Sequence, residues 1–262
     1  MKILVCIKQV PASNNVGIDD ETGTIKRSGA ESKMNACDLC AIEAALQIAQ
    51  EKNVEVDVIT MGPGQAIEIL EEALSMGASK AALITDKAFA GSDVLATSYT
   101  IAQGIKKFGN YDLILCGQQT TDGDTAQVGA EIAEALGIDH ANYVSKVLDV
   151  SDSKIKVSMN LGDYSYVQNM KLPCLLTIEK DSNVPRLPSY KRKIKITDNQ
   201  KQIITLNDFE DKNLKHYGLD GSPTTVVKVF SPESNVVKKT MSGSSEDIAN
   251  ELVSEIKDKK II

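Results

Sequence analysis

Between Ile3 and Leu136, short apolar runs alternate with segments whose apolar residues recur every three or four positions, and few folds accept that alternation. The runs are Ile3–Ile7, Val54–Thr60, Ala81–Thr85 and Tyr111–Leu115. The segments between them predict helices from about Asp38, Pro63 and Asp93. Leu39, Ile42, Leu46 and Ala49 share one helical face, as do Ile67, Leu70 and Leu74, and then Leu95, Tyr99 and Ala102. Apolar strands joined by helices form a parallel sheet covered on both sides. The expected class is α/β, a doubly wound, mostly parallel, Rossmann-like sheet. Ligands of such sheets sit beyond the carboxyl ends of the strands, near the point where strand order reverses. That rule selects the loops Cys6–Pro11, Met61–Gly64 and Cys116–Thr125.

The third loop lies in Cys116-Gly-Gln-Gln-Thr-Thr-Asp-Gly-Asp-Thr-Ala-Gln-Val-Gly129, between a strand and a helix marked by Val128, Ile132, Ala135 and Leu136. Asp124 and Gln127 have capping-box spacing, which predicts a helix start at the loop with free N–H groups turned into it. Such N–H groups, at the positive end of a helix, suit phosphate. Gly117 and Gly123 allow close approach of a ligand. Asp122 and Asp124 would repel phosphate, so Asp124 is assigned to capping and Asp122 to a hydroxyl or amide, leaving phosphate to the backbone. An ordinary strand-to-helix turn would show the same pattern. Met61-Gly-Pro-Gly-Gln-Ala-Ile67 lacks the third glycine of a dinucleotide fingerprint and follows the second strand. Pro63 nevertheless places another helix start at the same edge.

After Leu136 the pattern becomes strands with short polar turns: Tyr143–Val150, Ile155 to Met159, and Tyr164–Met170, expected as an antiparallel addition. Cys174–Glu179 is a further apolar strand. Asp181 to Lys195 then reads as an extended arm, with two prolines and a basic cluster at Lys191, Arg192, Lys193 and Lys195 that could steer an acidic partner. Ile248, Leu252, Val253 and Ile256 mark one face of a terminal helix. The expected division is an α/β nucleotide domain over 1–180 and, over 181–262, an arm and helix that dock on a partner.

The formal charge is −7, from 36 acidic and 29 basic residues, which argues against nucleic acid as a partner. No apolar run approaches membrane-spanning length and the start is too short for a signal peptide, so a cytoplasmic protein without membrane insertion is expected. Five cysteines form no dense framework, two histidines exclude a multi-histidine metal site, and no hydrolase elbow is present. Cys37 and Cys40 read as ordinary helix residues.

These segments resemble the β subunit of an electron transfer flavoprotein. The matching pieces are Val5-Cys-Ile-Lys-Gln-Val-Pro11, Lys33-Met-Asn35 leading into Asp38 and the Ala41–Leu46 helix, Ile59-Thr-Met-Gly-Pro63, Ala73-Leu-Ser-Met-Gly-Ala78, the Cys116–Gly129 loop, and Asn183-Val-Pro-Arg186. The resemblance implies an adenine-nucleotide site at Cys6, Asn35, Ala36, Cys37, Asp38, Met61, Gly62, Gly117, Gln118, Gln119, Thr120, Thr121, Asp122, Gly123, Asp124, Thr125, Ala126, Gln127 and Val128, with Ala36-Cys37 standing where the family has Pro-Tyr. It implies partner recognition at Pro185, Arg186, Leu187, Pro188, Ser189 and Tyr190.

The loop is most similar to the form of the family that holds FAD and bifurcates electrons; the alternative form holds AMP. The implied partners are an α subunit carrying a further FAD, a flavin-dependent dehydrogenase of acyl-CoA or 2-hydroxyacid type, NADH, and ferredoxin or flavodoxin. No residue of this chain is expected to act as acid, base or nucleophile. A regulatory nucleotide-binding module of universal-stress-protein type shares the fold class, but its later glycine-rich signature is not evident. An ATP-pyrophosphatase would need Ser-Gly-Gly-x-Asp-Ser after the first strand, which is absent.

Overall fold

The computed structural model describes residues 1–12, 32–227 and 238–261. Its elements in chain order are β1 (Ile3–Cys6), β2 (Gln9–Pro11), β3 (Ser32–Met34), α1 (Ala36–Lys52), β4 (Val56–Met61), α2 (Ile67–Met76), β5 (Lys80–Ile84), α3 (Val94–Phe108), β6 (Leu113–Gly117), α4 (Val128–Leu136), β7 (Asp139–Val150), β8 (Lys154–Leu161), β9 (Tyr164–Lys171), β10 (Cys174–Ile178), α5 (Tyr190–Lys193), β11 (Lys201–Ile204) and α6 (Ser245–Asp258). Nine strands form one sheet in the order β11-β5-β4-β1-β6-β10-β7-β8-β9, and β2 pairs with β3 in a small antiparallel sheet.

The chain steps from β1 to β4 to β5 in one direction, then crosses back to place β6 on the other side of β1. All these strands are parallel, with Ile3 opposite both Val56 and Leu113. The reversal lies between β1 and β6, so a crevice opens beyond Cys6 and Gly117. Each strand faces two apolar layers. Val5, Val58 and Leu115 pack with Ile42, Leu46 and Leu70 of α1 and α2 on one side. On the other, Leu4, Ile59 and Ile114 pack with Ile105 and Ile132 of α3 and α4. Burial on both faces explains why these strands are apolar throughout.

Three expectations change. The antiparallel addition is the expected β7, β8 and β9, antiparallel to one another, but it joins the sheet through a parallel pairing of β7 with β10. The stretch after residue 180 is more than an arm, because Lys201–Ile204 pairs in parallel with Ala81–Ile84 as an edge strand. The first compact unit accordingly spans Met1–Val227 and the second Lys228–Ile262, which moves the boundary from 180. A four-residue edge strand with only Ile204 fully buried has too little apolar pattern to read from sequence. Helix starts also shift: α1 begins at Ala36 instead of Asp38, and Pro63 leads into a 3-10 turn, Gly64–Ala66, before α2 begins at Ile67.

The second unit contains α6. Its N-cap Ser244 forms a capping box with Asp247, and Lys239 bridges to Glu251 and Glu255.

Candidate nucleotide-binding site

At the switch point the loop after β1, the start of α1 and the loop after β6 meet on one carboxylate. Asp38 is buried in the first turn of α1. Its Oδ2 accepts the Lys8 backbone N–H at 2.7 Å, and its Oδ1 accepts the Gly117 N–H at 3.1 Å and Asn35 Nδ2 at 3.0 Å. Burial pushes the carboxyl up to about 7, against the pull of these donors and of the Lys8 charge. Asn35 Nδ2 also donates to the Gln119 carbonyl at 2.8 Å, tying the β6 loop to the same point. Gly117 has to be glycine, since a Cβ there would overlap Asp38 Oδ1 and stand 2.7 Å from Cys37 Cβ.

Asp122 closes the loop over β1. Its Oδ1 takes Lys8 Nζ at 2.7 Å and the Gly123 N–H at 2.8 Å, and the Thr120 hydroxyl also reaches it. The expected hydroxyl and amide are there, but Lys8 is an addition that the sequence reading missed. Although burial pushes the Asp122 carboxyl up, the lysine and the loop donors outweigh it and hold the group below its ordinary value. The signal was available: Lys8 follows the β1 run directly, and a cation at that strand end answers the surplus of aspartates across the crevice.

Asp124 does not cap α4. Its φ is 52° and that of Ala126 is 55°, so neither residue is helical, and its N–H donates to the Thr120 carbonyl at 3.0 Å. The helix starts at Val128, with Gln127 at the N-cap position and no side-chain cap. The capping-box spacing misled because two left-handed residues interrupt the chain, and residue types other than glycine rarely announce them. The first turn of α4 still follows the loop directly, and its N–H groups have no side-chain cap. Gly129 lets that turn lie on β10, where a Cβ would come within 2.6 Å of Thr177 Cγ2.

The remaining expected residues divide by depth. Thr121, Gly123, Asp124, Thr125 and Gln127 are exposed along the loop, and Gln118, Gln119, Thr120, Ala126 and Val128 are half-buried. Ala36 is half-buried beside the buried Cys37, whose thiol burial pushes up. Met61 and Gly62 end β4 one strand away, where the Gly62 N–H donates to the Ile84 carbonyl at 3.0 Å. Cys6 lies below the crevice, opposite Cys116 in register, and the two thiols share a hydrogen bond that, with burial, raises Cys116.

Asn35 supplies a test of fit for a nucleotide. The residue is fully buried, and its Oδ1 has no hydrogen-bond partner among the described residues. A buried acceptor in that condition suits a donor such as an amino or hydroxyl group. Asn35 Oδ1 stands at the loop after β6, which Asn35 Nδ2 also holds, so the residues present fit the amino or hydroxyl donor of an adenine nucleotide. Among the described residues no cluster of His, Cys, Asp and Glu could hold a metal, and no helix is long and apolar enough to cross a membrane.

The residues expected to recognise a partner lie apart, along α1 and α2. Pro185, Arg186 and Ser189 are half-buried, while Leu187, Pro188 and Tyr190 are exposed. Arg186 is turned inward, onto Glu43. Of the basic cluster, Arg192 donates Nη1 to the Met76 carbonyl at 2.6 Å, closing the end of α2.

A doubly wound sheet whose loops after β1 and β6 meet the start of α1 at its switch point defines an α/β protein with a candidate ligand crevice. The electron transfer flavoprotein domain matches residues 22–208. The chain is 45% identical over 266 residues to the caffeyl-CoA reductase-Etf complex subunit CarD of Acetobacterium woodii, with all of both chains covered. It is 42% identical over 264 residues to the electron transfer flavoprotein subunit beta of Thermoanaerobacterium thermosaccharolyticum, again over both full lengths. Protein FixA of Sinorhizobium fredii is 41% identical over 268 residues, covering 98% of this chain and 93% of its own. The chain belongs to the electron transfer flavoprotein family, as a β subunit, and has an α subunit as partner.

Proposed function

We propose that the crevice between β1 and β6 holds FAD, and that the α/β complex carries electrons in flavin-based bifurcation among NADH, ferredoxin or flavodoxin, and a partner flavin-dependent dehydrogenase. The observation that carries this reading is the loop from Gly117 to Val128. Asp38, Asn35 and Lys8 anchor its first half at Gly117, Gln119 and Asp122, while side chains at Gly123, Thr125 and Ala126 are small. A bound flavin supplies the redox chemistry, accepting hydride and releasing single electrons. The chain's own residues bind and tune. Backbone N–H groups of the loop and of the first turn of α4 take the pyrophosphate, and the Asn35 acceptor takes a donor of the nucleotide. Asp122, paired with Lys8, would hold the loop in place beside a bound nucleotide.

Caffeyl-CoA reductase occurs in the name of the CarD relative, which favours an acyl-CoA dehydrogenase-type partner over a 2-hydroxyacid one. A further FAD is assigned to the α subunit. The second unit, with Ile248, Leu252, Val253 and Ile256 on one face of α6, is assigned to docking on the α subunit. The test is the nucleotide content of the purified α/β complex, by acid release, chromatography and visible absorption. Two FAD per α/β pair are expected. One FAD with one AMP would replace bifurcation by simple electron carriage.

A further inference from the structure

Residues 183–192 cross the outer face of α1 and α2 with a three-residue repeat. Asn183 Nδ2 donates to the Cys40 carbonyl at 2.9 Å, and the Arg186 N–H and guanidinium reach Glu43. The Ser189 N–H donates to the Ser75 carbonyl at 2.9 Å, and Arg192 takes the Met76 carbonyl. Every third residue is thus an anchor. The residues that follow the first three anchors point away: Val184 is 89% exposed, Leu187 87% and Tyr190 78%. Pro185 and Pro188 fall between, and from Asn183 to Ser189 the period of three is that of polyproline II, in which equivalent residues stand about 9 Å apart along the axis; Tyr190 and Arg192 then lie on the short helix α5. The arm is an apolar ladder whose register is set from its inner side.

Glu43 sets the tightest of these anchors. Its Oε2 accepts Arg186 Nε at 2.7 Å and the Arg186 N–H at 3.0 Å, and its Oε1 accepts Arg186 Nη2 and Gln47 Nε2, each at 3.0 Å. Both oxygens are doubly occupied. Burial pushes the carboxyl up, but these donors outweigh it and hold it below its ordinary value. A single carboxylate here fixes both the backbone and the side chain of one residue, so it fixes which residues of the arm face out. A surface-exposed ion pair would not do this, because it leaves the backbone free. The anchor also lies on α1, about two turns from Asn35 and about one and a half from Asp38, so one helix fixes the crevice at its start and the arm along its middle.

We propose that Glu43 is a positioning residue for recognition of the partner dehydrogenase, acting through Arg186 to hold Val184, Leu187 and Tyr190 in register. The proposal rests on the reading of this arm as the dehydrogenase-docking surface. In the α/β complex, Glu43→Gln keeps the size of the side chain but turns one acceptor into a donor. Arg186→Lys keeps the charge but removes the fork.

Hydrogen exchange at the Arg186 amide should speed up at least tenfold in Glu43→Gln. In both variants KM for a flavin-dependent acyl-CoA dehydrogenase should rise about tenfold, with kcat within twofold and nucleotide content unchanged. Unchanged amide exchange, or an unchanged KM with faster exchange, would overturn the proposal. So would lost nucleotide, which would make Glu43 a support of the crevice. Absence of turnover in the wild-type complex with every acyl-CoA and 2-hydroxyacid dehydrogenase tried would overturn the docking reading and this proposal with it. That failure is distinguishable because it precedes any substitution.

Discussion

Asp38 receives three donors from two loops and one neighbouring side chain, yet burial keeps its carboxyl near 7. The sign of its effect on stability follows from linkage. Its folded pKa lies above the ordinary 3.8, so the folded state binds the proton more tightly. The contribution is complete below about pH 4 and is lost as pH rises through about 7. Asp38→Asn removes this titration, so its stability relative to wild type should improve steadily from pH 4 to pH 7 and then level off, as measured by urea unfolding at half-unit steps. A flat difference would mean that the carboxylate is ionised throughout. Gly117 and Gly123 separate steric need from mere composition. Gly117→Ala drives a Cβ into Asp38 and Cys37 and should cost about 1–3 kcal/mol. Gly123 meets only Thr120 Oγ1, at 3.6 Å, so Gly123→Ala should stay within about 0.5 kcal/mol of wild type in the same unfolding series.

Helix α3 shows how one element collects distant chain. Its N-cap Asp93 accepts the Ala96 N–H on Oδ1, while Oδ2 takes both the N–H and the hydroxyl of Thr224. Phe89, Phe209, Tyr217 and Tyr99 lie ring to ring between α3 and residues 205–222, and the Tyr217 hydroxyl donates to the Asp211 carbonyl at 2.7 Å. The Tyr99 hydroxyl and His216 both reach Asp211 Oδ2, and their hydrogen bonds hold that carboxyl down at about 2. Asp93→Ala therefore removes a helix cap and a tether together. It should cost about 2 kcal/mol, at the upper end for an N-cap, and should raise protease cleavage near Thr224. A loss of only a few tenths would show that Thr224 is not held in solution. The helix start at Asp93 and Tyr99 on its face were legible beforehand; the packing of Phe89, Phe209 and Tyr217 against it was not, because these aromatic residues have no period in the sequence.

At the scale of the molecule, the two compact units predict that a chain ending at Val227 keeps its fold. Such a truncation should unfold cooperatively at a midpoint within a few degrees of the full chain, and should bind the α subunit at least tenfold more weakly in a titration. Retained affinity would remove α6 from the interface. The class of fold and the strands β1, β4, β5 and β6 were legible because buried parallel strands and their covering helices impose periods of burial that depend on neighbours along the chain. Membership of the family was legible for a different reason, since the motifs around Asn35, Met61 and Gly117 stand as short contiguous pieces. What the tertiary structure alone decided depends on contacts between distant residues. Lys8 meets Asp122 across 114 positions, Glu43 meets Arg186 across 143, and β11 reaches β5 only after more than a hundred residues. Local pattern also gave a helix cap at Asp124, and the left-handed turns at Asp124 and Ala126 overruled it. Sequence determines periodicity and local chemistry by itself; which charges face one another is fixed only when the sheet brings its strand ends together.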